Sequence, residues 1–110
     1  MSEKIKVFEN SNIRMEWSEE EQDWYLSIVD VVAVLTDQPT HDGARKYWSV
    51  MKTRMKKEGN EVTTICSQLK MLAPDGKMRL TDVANTKGIF RIIQSIPSPK
   101  AEPFKMWCHR

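Results

Sequence analysis

The chain opens on alternation. Lys4-Ile5-Lys6-Val7-Phe8-Glu9 alternates polar and apolar side chains, and Ile13-Arg14-Met15-Glu16-Trp17 does so again after a turn at Asn10-Ser11-Asn12. A period of two is what a strand with one buried face requires. The acidic run from Ser18 to Asp23 reads as a hairpin loop leading into a third strand, Trp24-Tyr25-Leu26-Ser27-Ile28. These residues predict a three-stranded antiparallel meander with one apolar face. From Asp30 the period changes. Val31, Val32, Val34 and Leu35 predict a short buried helix, capped by the Asp30 carboxylate and stopped by Pro39. Its β-branched content leaves a strand as the alternative.

Residues 42–58 carry the clearest helical period. Asp42 suits the N-terminal cap and Gly59 the left-handed position after the last turn. At about 100° per residue, Ala44, Tyr47, Trp48, Met51 and Met55 fall within an arc of roughly 100° and form a core stripe. Arg45, Lys46, Lys52, Lys56 and Lys57 fall opposite it. Thr63-Thr64-Ile65-Cys66 reads as extended. Ala73-Pro74-Asp75-Gly76 is a strong turn signal, because proline presets φ and glycine accepts a positive one. The hairpin about it would face Leu69, Met71, Met78 and Leu80 to the core and Lys70, Lys77 and Arg79 to solvent. Thr81 or Asp82 then suits the cap of a short turn. Thr86 opens a helix carrying Ile89, Phe90, Ile92, Ile93 and Ile96, broken by Pro97-Ser98-Pro99, and a last helix from near Lys100 carries Phe104 and Trp107 on one face.

At 110 residues with 40% apolar side chains and four tryptophans, the chain can build a core without disulfide or metal staples. Cys66 and Cys108 show no framework spacing, which fits reduced thiols. No apolar run reaches the ~20 residues of a membrane span, and the start lacks the apolar stretch of a signal peptide. The expected setting is therefore the cytoplasm. Net charge is only +2, but its distribution changes the picture. Residues 1–42 hold three basic side chains against ten acidic, and residues 43–110 fourteen basic against five acidic. A basic end attracts polyanions, although a lysine-rich solvated face is a common bland explanation of the same charge.

Catalytic chemistry is not legible. The histidines are His41 and His109, no Cys-x-x-Cys or His-x-x-x-His pair occurs, and no glycine-rich phosphate loop is present. Glu19, Glu20 and Glu21 read as solvated loop charge; an enzyme would need that loop folded back against His41. The expectation is no catalytic residues, no metal, no cofactor and no small-molecule substrate. What remains is a basic helix followed by a basic hairpin, a combination able to enter the major groove and touch phosphates. The candidate DNA contacts are Arg45, Lys46, Lys52, Lys56 and Lys57 on the helix and Lys70, Lys77 and Arg79 on the hairpin.

Two further segments carry a resemblance. Trp24-Tyr25-Leu26-Ser27-Ile28-Val29-Asp30-Val31-Val32-Ala33-Val34-Leu35-Thr36 resembles the opening of the Bro-N domain, the N-terminal domain of the BRO family. Gly88-Ile89-Phe90, Ile92-Ile93, Ser95 and Pro99-Lys100-Ala101-Glu102-Pro103-Phe104-Lys105-Met106-Trp107 resembles its closing signature. Between them, Ala44-Arg45-Lys46-Tyr47-Trp48-Ser49-Val50 with Lys56-Lys57-Glu58-Gly59 is similar to the bacterial branch of DNA-damage-inducible protein D-like and prophage antirepressor-like proteins. The resemblance spans residues 13–107 and implies a non-enzymatic, DNA-binding regulatory domain of phage or prophage type. It supplies no fixed set of DNA-contacting residues. Relatives usually continue past the Phe-x-x-Trp helix, so the resemblance implies a truncated or isolated N-terminal domain here.

The expected fold is α+β: a single compact domain with an N-terminal antiparallel meander and a later hairpin packed with about four helices. The expected partner is double-stranded DNA. The alternative is a protein-interaction or oligomerisation module that binds a repressor or a second copy through an apolar patch drawn from Met15, Met106 or the Met51/Met55 stripe. Trp24, Phe90, Phe104 and Trp107 are expected in the core.

Overall fold

A computed structural model describes residues 3–9, 11–59 and 62–108; Asn10 of the first turn and His109 lie outside the described residues. The meander is β1 (Glu3–Phe8), β2 (Ser11–Ser18) and β3 (Asp23–Ser27). Helices α1 (Ile28–Thr36), α2 (His41–Lys57) and the single turn α3 (Val62–Ile65) follow. The hairpin is β4 (Ser67–Leu72) and β5 (Met78–Asn85), and α4 (Thr86–Ile93) and α5 (Ala101–Cys108) close the chain. All five strands form one antiparallel sheet in the order β1-β2-β3-β5-β4. The meander and the hairpin are therefore halves of one sheet, joined where Tyr25, Leu26 and Ser27 pair with Asn85, Ala84 and Val83.

Partners in antiparallel register share a face. Met15 pairs with Leu26, and Leu26 with Ala84. This face, with Phe8 and Ile13, is covered by the apolar sides of α1, α2, α4 and α5 in one continuous core. Phe104 and Trp107 of α5 meet Phe8 edge-on at 5.2 and 5.7 Å, and the Trp107 indole N–H donates to the Val7 carbonyl at 2.9 Å, so the last helix clamps the first strand. Phe104 and Trp107 are buried, whereas Trp24 and Phe90 are half-buried against the core. Gly88 lets α4 sit close to the sheet: a Cβ there would lie 3.0 Å from the Ala84 Cβ and 3.1 Å from the Ile65 carbonyl.

Several local expectations are corrected. The first long helix is capped by Ser27, whose hydroxyl accepts from the Asp30 N–H, so Asp30 sits inside the first turn. Likewise Thr40, not Asp42, caps α2 through the Gly43 N–H at 3.0 Å. Gly59 does take the left-handed conformation after α2, with φ +77°. Val62–Ile65 forms a helical turn in place of the extended segment expected at 63–66. Thr81 and Asp82 lie within β5 and cap nothing, and Asn85 caps α4 through the Gly88 N–H at 2.9 Å.

The hairpin faces are also corrected. At its turn the Gly76 N–H donates to the Ala73 carbonyl, the Ala73 N–H donates to the Lys77 carbonyl, and Gly76 holds φ +84°. Leu72 then pairs with Met78, Met71 with Arg79 and Lys70 with Leu80. Met71 is buried and Leu69 half-buried, but Met78 and Leu80 point to the other face, where they are 51% and 63% exposed.

Arg14 is a polar residue of the alternating segment in β2, and it is buried. Its guanidinium donates to both Asp30 carboxylate oxygens (2.8 and 3.1 Å), to the Ser27 hydroxyl (3.1 Å) and to the Leu72 carbonyl (3.0 Å). One side chain thus ties β2, the start of α1 and the hairpin together.

Candidate nucleic-acid interface

The basic helix and the basic hairpin are neighbours in space. They enclose a cleft of about 440 Å³ between α2 and β5, lined by His41, Arg45, Lys46, Trp48, Ser49 and Lys52 on the helix and by Gln68, Arg79, Leu80 and Asp82 on the hairpin. Its floor is fixed by Asp82. That carboxylate accepts from the Trp48 indole N–H at 2.8 Å, the Lys52 ammonium at 2.8 Å and the Gln68 amide at 3.0 Å. Burial alone would raise the Asp82 pKa. The three hydrogen bonds and the Lys52 charge outweigh it and hold the carboxyl below its ordinary value.

The candidate contacts now separate. Arg45, Lys46, Lys52 and Arg79 come together at the cleft, and each has a carboxylate partner. Asp42 holds Arg45 (2.5 Å) and Lys46 (3.6 Å), Asp82 holds Lys52, and Asp75 pairs with Arg79. Hydrogen bonding and charge from Arg45 accordingly lower the Asp42 pKa. Lys52 was expected to face solvent; it is half-buried, with its ammonium 5.8 Å from the Trp48 ring centre. It stabilises the cleft floor and is poorly placed to reach a ligand.

Lys56, Lys57, Lys70 and Lys77 are exposed, and among the described residues none of them has a carboxylate within ion-pair reach. The same holds for Arg54, which borders a shallow depression with Val50 and Lys57 on the outward side of α2. Lys56 lies one turn beyond Lys52 on the cleft flank, following the i, i+4 row. Lys70 pairs with Leu80 and Gln68 with Asp82, so Lys70 shares the sheet face that meets α2. Lys77 sits at the turn. Sequence reasoning left out Arg54 and His41. Arg54 carried a readable signal, its charge within the basic helix; His41 becomes relevant only because Thr40 places it on the first turn of α2, at the cleft.

The acidic turn at residues 19–22 lies at the opposite end of the sheet, where the Asp23 carboxylate accepts from Thr86 and Glu21 from Asn85. The charge split along the sequence is only partly a split in space: Glu19, Glu20, Glu21 and Asp23 lie at this far turn, whereas Asp42 sits at the cleft with Arg45 and Lys46, and Glu9 and Asp37 pair with Lys100. Glu21 lines a second depression with Tyr25, Asn85 and Lys87, away from His41. Cys66 and Cys108 are free thiols raised to about 11, Cys66 by burial and then by the Asp82 charge, Cys108 by burial. Neither has the lowered pKa of a nucleophile. Among the described residues no group of three or more His, Cys, Asp or Glu side chains could hold a metal ion, and no helix is long and apolar enough to cross a membrane.

The model of the BRO family N-terminal domain (Bro-N) matches residues 12–110. No curated protein and no solved structure matches the chain.

Proposed function

The chain belongs to the BRO family through its N-terminal domain, a family associated with phage-type regulatory and antirepressor proteins and not with a known enzyme activity; on that premise we propose that it binds double-stranded DNA without catalysis. One observation carries this reading. Lys56 follows the cleft residue Lys52 by one turn of α2, Lys70 lies on the sheet face that meets α2 and Lys77 sits at the hairpin turn; together with Arg54 and Lys57 they are exposed cations that have no carboxylate partner among the described residues. Cations so placed neutralise phosphates and release counterions. Arg45, Lys46 and Arg79, already oriented by Asp42 and Asp75, would exchange those carboxylates for phosphate, whereas Lys52 would keep the floor rigid. The regulatory setting would be that of the DNA-damage-inducible protein D-like or prophage antirepressor-like branch, with the whole chain acting as one Bro-N unit in the cytoplasm.

The test is a fluorescence-anisotropy titration of mixed-sequence duplex DNA from ~50 to ~200 mM salt. Lys56→Ala and Lys70→Ala should each reduce the slope of log K against log salt by about one. No binding at ~50 mM salt would sink the proposal.

The second reading, docking of a repressor or a second copy, is favoured by exposed apolar side chains. They are not the ones expected: Met15, Met51 and Met55 are buried, and only Met106 of that group is exposed. The exposed apolar surface near the cleft belongs to Leu72, Met78 and Leu80.

A further inference from the structure

β3 pairs with β5 only at residues 83–85, so 78–82 run on with 68–72 as a two-stranded ribbon. Three large apolar side chains share one face of that ribbon. Leu72 lies opposite Met78, and Leu80 is two residues further along the same face, so all three are within cross-strand reach of one another. Their exposures are 49, 51 and 63%. Lys70, opposite Leu80, and Lys77, beside Met78, frame them with positive charge that no described carboxylate offsets. An apolar strip inside a cationic frame needs a partner whose rim is anionic and whose interior offers apolar groups. In the DNA major groove the base edges present one such group, the thymine 5-methyl.

We propose that Leu72, Met78 and Leu80 read thymine methyl groups from the major groove of duplex DNA, with Lys70 and Lys77 on the flanking phosphates. The inference rests on the DNA-binding reading and adds its sequence preference. Ribbon strands stand ~4.8 Å apart, so the pair with its side chains fits the ~12 Å major groove and overfills the ~6 Å minor groove. A second copy is the weaker occupant. Three side chains provide little of the roughly 1,200 Å² or more that a stable protein interface buries, and two copies meeting here would bring Lys70 and Lys77 against their own counterparts.

The experiment compares binding of the chain to an alternating adenine–thymine duplex and to the same duplex with every thymine replaced by uracil, at ~50 mM salt. Each methyl fully buried is worth roughly a fourfold change in affinity, so the uracil duplex should bind several-fold more weakly. Leu80→Ser and Met78→Ser should bring the ratio of the two affinities toward one with unchanged melting temperature, since both side chains are exposed. Lys70→Ala should weaken both duplexes equally. Salt-dependent binding with no preference for thymine overturns this inference and leaves the DNA reading standing. Absence of binding to either duplex overturns both. A dimer seen by light scattering and abolished by Leu80→Ser assigns the strip to a second copy and overturns the inference as well.

Discussion

Replacing Arg14 by alanine is the most demanding test of the fold. The change removes four side-chain hydrogen bonds and leaves Asp30, whose side chain is only 11% exposed, without its counter-charge. Breaking a buried ion pair by deleting one partner costs about 3–5 kcal/mol. The main-chain N–H at position 14 still donates to Asp30 at 3.0 Å, which places the expected loss near the lower end, about 3 kcal/mol. For a domain of this size that lowers the melting temperature by roughly 10–15 °C. Arg14→Lys should recover little, because an ammonium cannot span Asp30, Ser27 and the Leu72 carbonyl together. Arg14→Met combined with Asp30→Leu should cost far less than the sum of the single changes, since replacing both members of a buried pair by apolar groups is often close to neutral. Urea melts followed by tryptophan fluorescence give all six stabilities: wild type, Arg14→Ala, Arg14→Lys, the single changes Arg14→Met and Asp30→Leu, and the double variant. A loss below ~1 kcal/mol for Arg14→Ala, or strict additivity in the double variant, would refute the keystone role.

Two further predictions follow from titrating groups. The folded Asp82 pKa lies below its ordinary 3.8, so its contribution to stability is full above that value and is lost as pH falls through the lower folded one. Wild type and Asp82→Asn should therefore differ by a constant amount from pH 7 to about 5 and converge below about 4; stability curves that stay parallel to pH 3 would contradict this. Both thiols titrate near 11, so a disulfide reagent at pH 7.5 should label the folded chain far more slowly than the chain in denaturant, with rates climbing only in the alkaline range. Labelling at the rate of a free thiol would show that the burial of Cys66 and Cys108 is not maintained in solution.

Periodicity made the elements of this fold legible wherever a pattern was confined to one segment. The meander, the amphipathic α2 and the turn at Pro74-Asp75-Gly76 all fall near their expected places. The misread hairpin face has a specific cause. Alternation within one strand separates its two faces but does not say which face of the next strand it joins; the turn decides that. Here the Ala73–Lys77 closure pairs Met71 with Arg79, so a parity that looked apolar on both arms is apolar on one only. The role of Arg14, and with it that of Asp30, was illegible for another reason: Arg14 meets Asp30 across 16 residues of sequence and the Leu72 carbonyl across 58, and Asp30 had an ordinary local role available as a cap. The same limit applies to the interface. Its cations were visible as charge, and Asp42 and Asp75 lie only three and four residues from Arg45 and Arg79, but the carboxylate that holds Lys52 is 30 residues away and meets it only where the hairpin packs on α2.

The three-pair seam between β3 and β5 has a consequence for how the chain folds. The meander and the β4–β5 hairpin are each local and can form early, whereas the seam joins residues 25–27 to 83–85. Every alternative order must still close that long loop, a cost that grows only slowly with length but is met before the seam returns any burial. The seam is thus expected to be the late step, and during synthesis it waits until residue 85 has emerged. Until then the face that receives Ala84 and α4 stays open on the N-terminal half. Substitutions at Ala84 or Leu26 should consequently act mainly on the unfolding rate, while those at the Pro74-Asp75-Gly76 turn should act on the folding rate.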